Sequence, residues 1–180
     1  MEFVRLTDKY NTMYEKAMEL YGISFPYHER REGASRAAII SDSEYHFNLI
    51  YDDNDWVGLI LCWENDSFIY VEHFCILHEK RNKKYGQKAL EKLGEKGKCV
   101  ILEIDPPKDD VSIRRKHFYE RCGFVENPFS HVHPPYHKGY SGHELVVMTS
   151  PEKITEETYD SFKEYLDGKV MSRGKFTPLS

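Results

Sequence analysis

The sequence has no long apolar segment. No stretch approaches the roughly 18 uninterrupted apolar residues of a membrane-spanning helix, and the first ten residues, MEFVRLTDKY, lack the apolar run of a secretory signal peptide. We therefore expect a soluble cytoplasmic protein with no membrane partner. With 40% hydrophobic and 14% aromatic residues, the 180-residue chain can form one full core but is short for two domains. This favours a single domain over residues 1–180.

Cysteine is scarce and scattered. The chain has four, without any CxxC pair, and each lies in an apolar segment: Cys62, Cys75, Cys99 and Cys122. This spacing argues against a disulfide framework or a zinc ribbon and favours reduced thiols in the core.

Net positive charge is also absent. The overall charge of −5 gives no support for general nucleic-acid binding or for polybasic membrane binding.

The hydrophobic pattern of the first half predicts helix followed by sheet. Residues 2–6 have the pattern of a strand, and a helix capped by Thr7 or Asp8 follows. Residues 26–40 are helix-like but interrupted by Gly33, so their form is left open. The next segment, residues 45–77, contains three strand-length runs separated by Asn and Asp turn residues. These runs predict an antiparallel meander.

The third of these runs, SFIYVEHFCIL, is apolar on both faces. This pattern is typical of a central strand that is covered on both sides. Because side chains alternate along a strand, the pattern predicts that Glu72 lies on the same face as Phe74 and that His73 lies on the opposite face.

The second half predicts a strand, helix, strand unit and a further helix. A helix ending near Gly94 leads to the buried strand CVILEI, which should run parallel to the third run, and Asp109 or Asp110 should cap the next helix. A Pro- and His-rich loop, a last strand HELVVM and an appended helix at about residues 155–168 follow. The predicted fold is α/β, with a mixed, mostly antiparallel sheet of six to seven strands and helices on both faces.

The stretch HEKRNKKYGQK, residues 78–88, lies between the central strand and a helix. The first turn of a helix has unpaired backbone N–H groups and a partial positive charge, so it favours an anion. Basic side chains add to this effect, and Gly86 allows close approach of the backbone. The stretch lacks the GK[ST] ending of a P-loop and the three glycines of a dinucleotide-binding turn. It therefore predicts a site for a different phosphate ligand.

Two motifs in this order resemble the GNAT superfamily of N-acetyltransferases. HFCILHEKRNKKYGQKAL is similar to the superfamily's central strand and its [RQ]xxGx[GA] loop, and RRKHFYERCGF is similar to its later FYxxxGF segment. The resemblance implies a GNAT-like fold and transfer of an acetyl group from acetyl-CoA to a primary amine by direct attack. Acetyl-CoA is the implied co-substrate, and no metal is expected.

The resemblance also implies roles for particular residues. The backbone amides of Phe74, Cys75 and Ile76 would support the pantetheine arm and the thioester oxyanion, and Tyr119 would be the general acid for the CoA thiolate. Ser112 stands where the superfamily commonly has an asparagine that binds the co-substrate. Lys84 occupies the position of the first loop glycine. The implied diphosphate site is the whole loop, Arg81, Asn82, Lys83, Lys84, Tyr85, Gly86 and Gln87.

Glu72 is the first candidate for the general base, with Glu103 and His73 as weaker ones. The sequence leaves an alternative open for each functional residue. Glu72 is equally compatible with a salt-bridged structural carboxylate, Tyr119 with a core-packing residue, and the basic stretch with a solvated surface.

Three other classes of function remain alternatives. The first is an acyl-CoA sensor without turnover, and the second is a metal-dependent hydrolase that uses His131 and His133. The third is a nucleic-acid-binding protein that uses the basic stretch. The long loop with Tyr136, His137 and Tyr140 is expected to shape an acceptor pocket for a small-molecule or peptide amine. Oligomeric state is left open, with a homodimer as one option.

Overall fold

The structure, a computed structural model, describes residues 1–172; the predicted domain end at residue 180 lies outside this range. Up to residue 172, the fold contains five α-helices and eight strands. The strands are β1 (Glu2–Leu6), β2 (Tyr45–Asp52), β3 (Asp55–Glu64), β4 (Phe68–Ile76), β5 (Cys99–Ile104), β6 (Val125–Glu126), β7 (His131–His133) and β8 (His143–Ser150). The helices are α1 (Tyr14–Ser24), α2 (Gly33–Ile39), α3 (Tyr85–Gly94), α4 (Asp110–Arg121) and α5 (Glu156–Tyr165).

The strands form one mixed sheet in the order β1-β2-β3-β4-β5-β8-β6, with β7 paired to β8. Within the described residues, only the central pair, β4 and β5, is parallel, with α3 as the connection between them. All other pairs are antiparallel, including the meander β2-β3-β4. The predicted mixed, mostly antiparallel α/β fold is therefore confirmed, and the described sheet has eight strands where the sequence predicted six to seven.

Turn and cap chemistry explains several element boundaries. Asp53 and Asn54, between β2 and β3, both have positive φ angles, which Asp and Asn tolerate better than most residues. The side chain of Asn65 accepts hydrogen bonds from the backbone N–H groups of Ser67 and Phe68 and so closes the β3–β4 turn. Asp109 caps α4, as the sequence predicted.

The start of α1 was predicted wrongly. The helix begins at Tyr14, and no side chain caps it. Asp8 instead accepts a hydrogen bond from the Tyr10 backbone N–H, and Asn11 accepts one from Met13. These local Asx turns compete with helical hydrogen bonds, and the N-cap is Met13, five or six residues later than predicted.

Helices cover both faces of the sheet. One face packs against α1, α2 and α5, and the other packs against α3 and α4. The C-terminal helix is not an appendage, because Phe162, together with Leu166 and Val170 in the turn that follows it, is fully buried in the first of these cores. Burying three such side chains contributes several kcal/mol to the stability of the fold.

A β-bulge in β4 changes the predicted strand faces. Val71 pairs with Cys62 of β3, but the next paired residue of β4 is His73, opposite Leu61, so Glu72 is the extra residue. An extra residue shifts the alternation by one position. Glu72 therefore lies with His73 on the α1 face, whereas Phe74 packs on the α3 face. The predicted shared face of Glu72 and Phe74, with His73 opposite, is wrong.

Candidate functional site

The central parallel strands separate and open a cleft. β4 pairs with β5 only from Phe68 to Val71, so within residues 1–172 the rest of β4 has no strand partner on its β5 side. The cleft has a volume of about 1170 Å³. This exceeds the roughly 300–1,000 Å³ of typical small-molecule sites, so the cleft has room for a cofactor-sized molecule together with a second ligand.

The basic loop forms one wall of this cleft. Arg81, Asn82 and Lys84 to Gln87 line it, whereas Lys83 does not. Lys84 is the N-cap of α3 with φ of 63°, and no side chain caps the helix. The backbone N–H groups of the first turn, Tyr85 to Gln87, therefore remain available to an anion.

Lys84, which stands at the position of the first loop glycine, adopts a left-handed backbone conformation. The loop keeps a left-handed residue at this position, and Asn82 also has a positive φ of 62°. A left-handed conformation costs a lysine about 1–2 kcal/mol relative to its preferred conformations. The observed loop tolerates this cost at the point where it meets the cleft.

Much of the charge in the basic stretch is already paired. Lys80 forms an ion pair with Asp55, and Lys88 forms one with Asp52 at 3.3 Å, both in the β2–β3 hairpin. The Nε group of Arg81 donates to the Ile76 carbonyl at 3.2 Å, which ties the loop to the end of β4. For binding an anion, the position of the loop at the start of α3 therefore matters more than the number of its basic residues.

Gly86 is the point where α3, α4 and β4 meet. A methyl group at this position would lie 3.1 Å from Phe118 Cζ and 3.6 Å from Phe74 Cζ. The glycine lets the first turn of α3 pack directly against these two rings. It thus brings the free N–H groups of α3 close to the predicted oxyanion segment of β4.

Tyr119 lines the same cleft from α4. Its ring contacts Phe118 and Phe124 edge-on, and within the described part of the chain its hydroxyl has no hydrogen-bond partner. Burial raises the pKa of Tyr119 to about 12. Arg115 lowers this pKa by a smaller amount, and Cys122 and Cys75 raise it slightly. The hydroxyl is therefore protonated at neutral pH and free to donate to a ligand.

Ser112 lies outside the cleft and has another role. Its hydroxyl donates to the Asp109 carbonyl and accepts from the backbone N–H groups of Lys108 and Asp109, all at 3.1 Å. It is also buried, with 4% of its surface exposed. Because the hydroxyl is occupied in capping α4, this geometry disfavours the predicted hydrogen bond from Ser112 to the co-substrate.

Glu72 is held in a buried ion pair. Its Oε1 accepts from Arg31 at 2.5 Å and from the Tyr136 hydroxyl at 3.0 Å, and its Oε2 accepts from Trp63 Nε1 at 3.0 Å. Burial alone would raise the pKa of Glu72, but Arg31, His73 and these hydrogen bonds outweigh it and lower the pKa to about 2. A carboxylate with so little affinity for a proton is poorly suited to act as a general base.

Glu103 is also engaged. It contacts His131 Nε2, accepts from the Tyr70 hydroxyl at 2.5 Å and lies 3.9 Å from His133 Nε2. Despite burial, the two histidines and Tyr70 lower its pKa. The geometry therefore gives His131 a hydrogen-bonding role beside a buried carboxylate, whereas His133 Nε2 faces the same carboxylate without a hydrogen-bond partner in the described part of the chain.

The long loop between β7 and β8 closes the cleft. Tyr136 and Tyr140, two of the residues expected from the sequence to shape an acceptor pocket, line it. His137 instead fixes the loop, because its ring stacks on Tyr27 at 4.0 Å and its Nε2 donates to the Tyr27 carbonyl at 2.9 Å.

Sequence reasoning missed several residues of segment 26–40 and of the end of β5, which line the cleft or pair with its buried carboxylates. Arg31 contacts Glu72 across 41 positions of sequence. Glu29 and Asp105 line the cleft, and Arg115 pairs with Asp105 at 2.6 Å. The charged run HERRE was visible in the sequence, but nothing local indicated which of its residues face inward.

Comparison with known proteins places the chain in a family. Residues 10–124 match the sequence model of the Acetyltransferase (GNAT) family. A GNAT-family protein of Bacteroides thetaiotaomicron, named as an acetyltransferase, superimposes with a TM-score of 0.89 at 31% identity and covers 95% of this chain and 98% of that one. The chain belongs to the GNAT family of acetyltransferases.

Two further relatives extend the comparison. YjbC of Bacillus subtilis (strain 168), also named as an acetyltransferase, is 29% identical over 113 residues, which are 62% of this chain. The match spans 55% of the length of that relative. A Bacillus subtilis acetyltransferase in complex with CoA has a TM-score of 0.55 at 12% identity, over 82% of this chain and 95% of that one. At this identity the likeness concerns the fold alone.

Proposed function

We propose that this protein transfers an acetyl group from acetyl-CoA to a primary amine by direct attack. The observation that carries the proposal is the cleft between the separated strands β4 and β5, which joins the free N–H groups of α3 to the unpaired hydroxyl of Tyr119. A diphosphate and a departing thiolate have their complementary groups at these two places.

We assign the roles in this reaction as follows. The loop from Arg81 to Gln87 binds the diphosphate, chiefly through the first turn of α3. The backbone amides of Phe74 to Ile76, on the part of β4 that β5 does not cover, bind the pantetheine arm and stabilise the oxyanion. Tyr119 gives its proton to the departing thiolate. Glu72 holds Arg31, Trp63 and Tyr136 together beneath the acceptor side.

The proposal includes a cytoplasmic location and a small-molecule or peptide amine as the acceptor. No helix within residues 1–172 is long and apolar enough to cross a membrane. Neither a nucleic-acid partner nor a metal is part of the proposed reaction, and a homodimer remains one option for the assembly.

The first experiment tests co-substrate binding and turnover. Acetyl-CoA at about 100 times its Kd should add about 2.7 kcal/mol of stability, which raises the Tm by roughly 5–10 °C for a chain of this length. Dephospho-CoA serves as the second ligand. CoA thiol release is then measured with a panel of amines. No shift with millimolar acetyl-CoA would contradict the proposal.

The second experiment separates an enzyme from an acyl-CoA sensor. Tyr119→Phe should lower kcat by at least about 100-fold, because the thiolate loses its proton donor, while the KM for acetyl-CoA stays unchanged. Tyr10→Phe is the matched control, since Tyr10 is 84% exposed and does not line the cleft. Equal CoA release by wild type and Tyr119→Phe would exclude Tyr119 as the acid. Binding without release from any amine would instead favour the sensor.

A further inference from the structure

Four carboxylates line the cleft, and they differ in what they contact. They are Glu29, Glu72, Glu103 and Asp105. An acetyl transfer to an amine needs one group that binds the acceptor ammonium and removes a proton from it. The contacts of each carboxylate decide which one is available.

Three of the four are already neutralised within the fold. Glu72 pairs with Arg31 and Glu103 contacts His131, both out of reach of solvent, with at most 6% of either carboxylate side chain exposed. Asp105 accepts from Arg115 Nη1 at 2.6 Å. Each of these anions has a partner that competes with an incoming ammonium ion, and the pKa of both Glu72 and Glu103 is lowered.

Glu29 is different because, within residues 1–172, no lysine or arginine forms an ion pair with it. Its nearest basic group is His28 Nε2 at 3.5 Å, and 34% of its side chain is exposed. Burial, followed by the neighbouring Asp105 carboxylate, raises the pKa of Glu29 against smaller opposing effects of His28, His143 and Arg115. These are the charged and titratable groups that face it.

The backbone of Glu29 is fixed beside the predicted reaction centre. Its carbonyl accepts a hydrogen bond from His73 Nε2 at 2.7 Å, and His73 directly precedes Phe74, the first residue of the proposed oxyanion segment. His73 is itself buried and contacts Tyr21 and Phe25 of the α1 side. The short turn Tyr27–Glu29 is thereby attached to β4 at the floor of the cleft.

We propose that Glu29 is the general base, binding the acceptor ammonium and taking a proton from it. This inference rests on the proposed acetyl transfer. The Glu29 carboxylate removes one proton from R–NH₃⁺, and the nitrogen lone pair of R–NH₂ forms a bond to the thioester carbon. The C–S bond then breaks, and the thiolate takes the Tyr119 proton. The second nitrogen proton returns to the Tyr119 oxygen through solvent, and Glu29 releases its proton to solvent.

The test compares pH profiles of wild type and Glu29→Gln with the best amine of the panel, in buffer containing EDTA. At pH 7 the variant should lose at least about 100-fold in kcat, with an unchanged KM for acetyl-CoA. In wild type, kcat/KM for the amine should be level near neutrality and fall as pH decreases through the raised pKa of Glu29, above 4.5. The variant must take free amine from solution, so its kcat/KM should rise about tenfold per pH unit up to the amine pKa of about 10.

Two controls separate catalysis from folding. Glu15→Gln makes the same change at an exposed residue of α1 outside the cleft and should leave both profiles unchanged. Glu29→Asp should restore part of kcat and the acid limb. Because the raised pKa means that ionised Glu29 opposes folding, Glu29→Gln should unfold at the same temperature as wild type or higher.

The outcomes distinguish this inference from the proposed function. Undiminished CoA release by Glu29→Gln, or an unchanged level profile, would overturn the role of Glu29 and leave acetyl transfer standing. No CoA release by wild type with any amine would overturn acetyl transfer and this inference with it. Loss of activity together with a lowered Tm, and no rescue by Glu29→Asp, would show a structural role instead.

Discussion

Replacing Glu72 by glutamine tests whether this residue holds the fold rather than taking a proton. The change keeps the size of the side chain and an acceptor for Trp63 but removes the negative charge opposite Arg31. Both side chains are almost fully buried, with exposures of 3% for Arg31 and 0% for Glu72. The guanidinium would therefore stay in the interior without a counter-ion, which is among the most destabilising of single changes.

The expected loss can be worked out in two ways. A pKa lowered from 4.5 to about 2 corresponds to about 3 kcal/mol of stabilisation of the folded state by ionised Glu72. Breaking a buried ion pair by removing one partner costs about 3–5 kcal/mol. For a chain of this size the loss corresponds to a fall in Tm of roughly 10 °C. The two free energies agree because both describe the stabilisation that the Glu72 charge gains from Arg31.

The measurement is thermal and urea unfolding of wild type and Glu72→Gln between pH 7 and pH 3. Since the pKa of Glu72 is lowered, its contribution is fully present above pH 4.5 and is lost as pH falls towards 2, so the two proteins should converge in stability below 4.5. Adding Arg31→Met to the variant should recover much of the loss. A Tm within 2 °C of wild type at pH 7, or a difference that is constant with pH, would refute this account of the ion pair.

Two further substitutions test the cleft wall. Gly58→Ala would place a methyl group 2.3 Å from the Cys75 carbonyl oxygen. We therefore expect the free energy of urea unfolding to fall by at least about 1–3 kcal/mol, and acetyl-CoA to bind more weakly because β4 shifts. An unchanged urea midpoint and an unchanged Kd would contradict this. Lys84→Gly should be about 1 kcal/mol more stable than Lys84→Ala, because only glycine adopts φ of 63° without strain. Both Lys84 variants lose the ammonium group and should bind acetyl-CoA several-fold more weakly than wild type in thermal-shift titrations. Equal affinities of the variants and wild type would disprove this.

Local rules account for much of what could be predicted. The order of strands and helices from Tyr45 onward, the cap at Asp109 and the anion-favouring start of α3 follow from turn residues and hydrophobic period. The face of Glu72 was predicted wrongly because a bulge adds one residue to a period of two, and the sequence carries no signal for it. The same bulge decides that Glu72 meets Arg31 rather than the predicted reaction centre.

The sequence by itself determined the fold class and the two motifs that the cleft brings together, because both depend on contacts between residues near in the chain. Only the tertiary structure decided which charges are free. Lys80 and Lys88 are paired to a hairpin some thirty positions earlier, and Glu72 is paired to Arg31 across 41 positions. A side chain's proton affinity depends on its burial and on the charges within a few ångströms of it, and these are fixed only when distant segments such as Tyr27–Glu29 pack against the sheet.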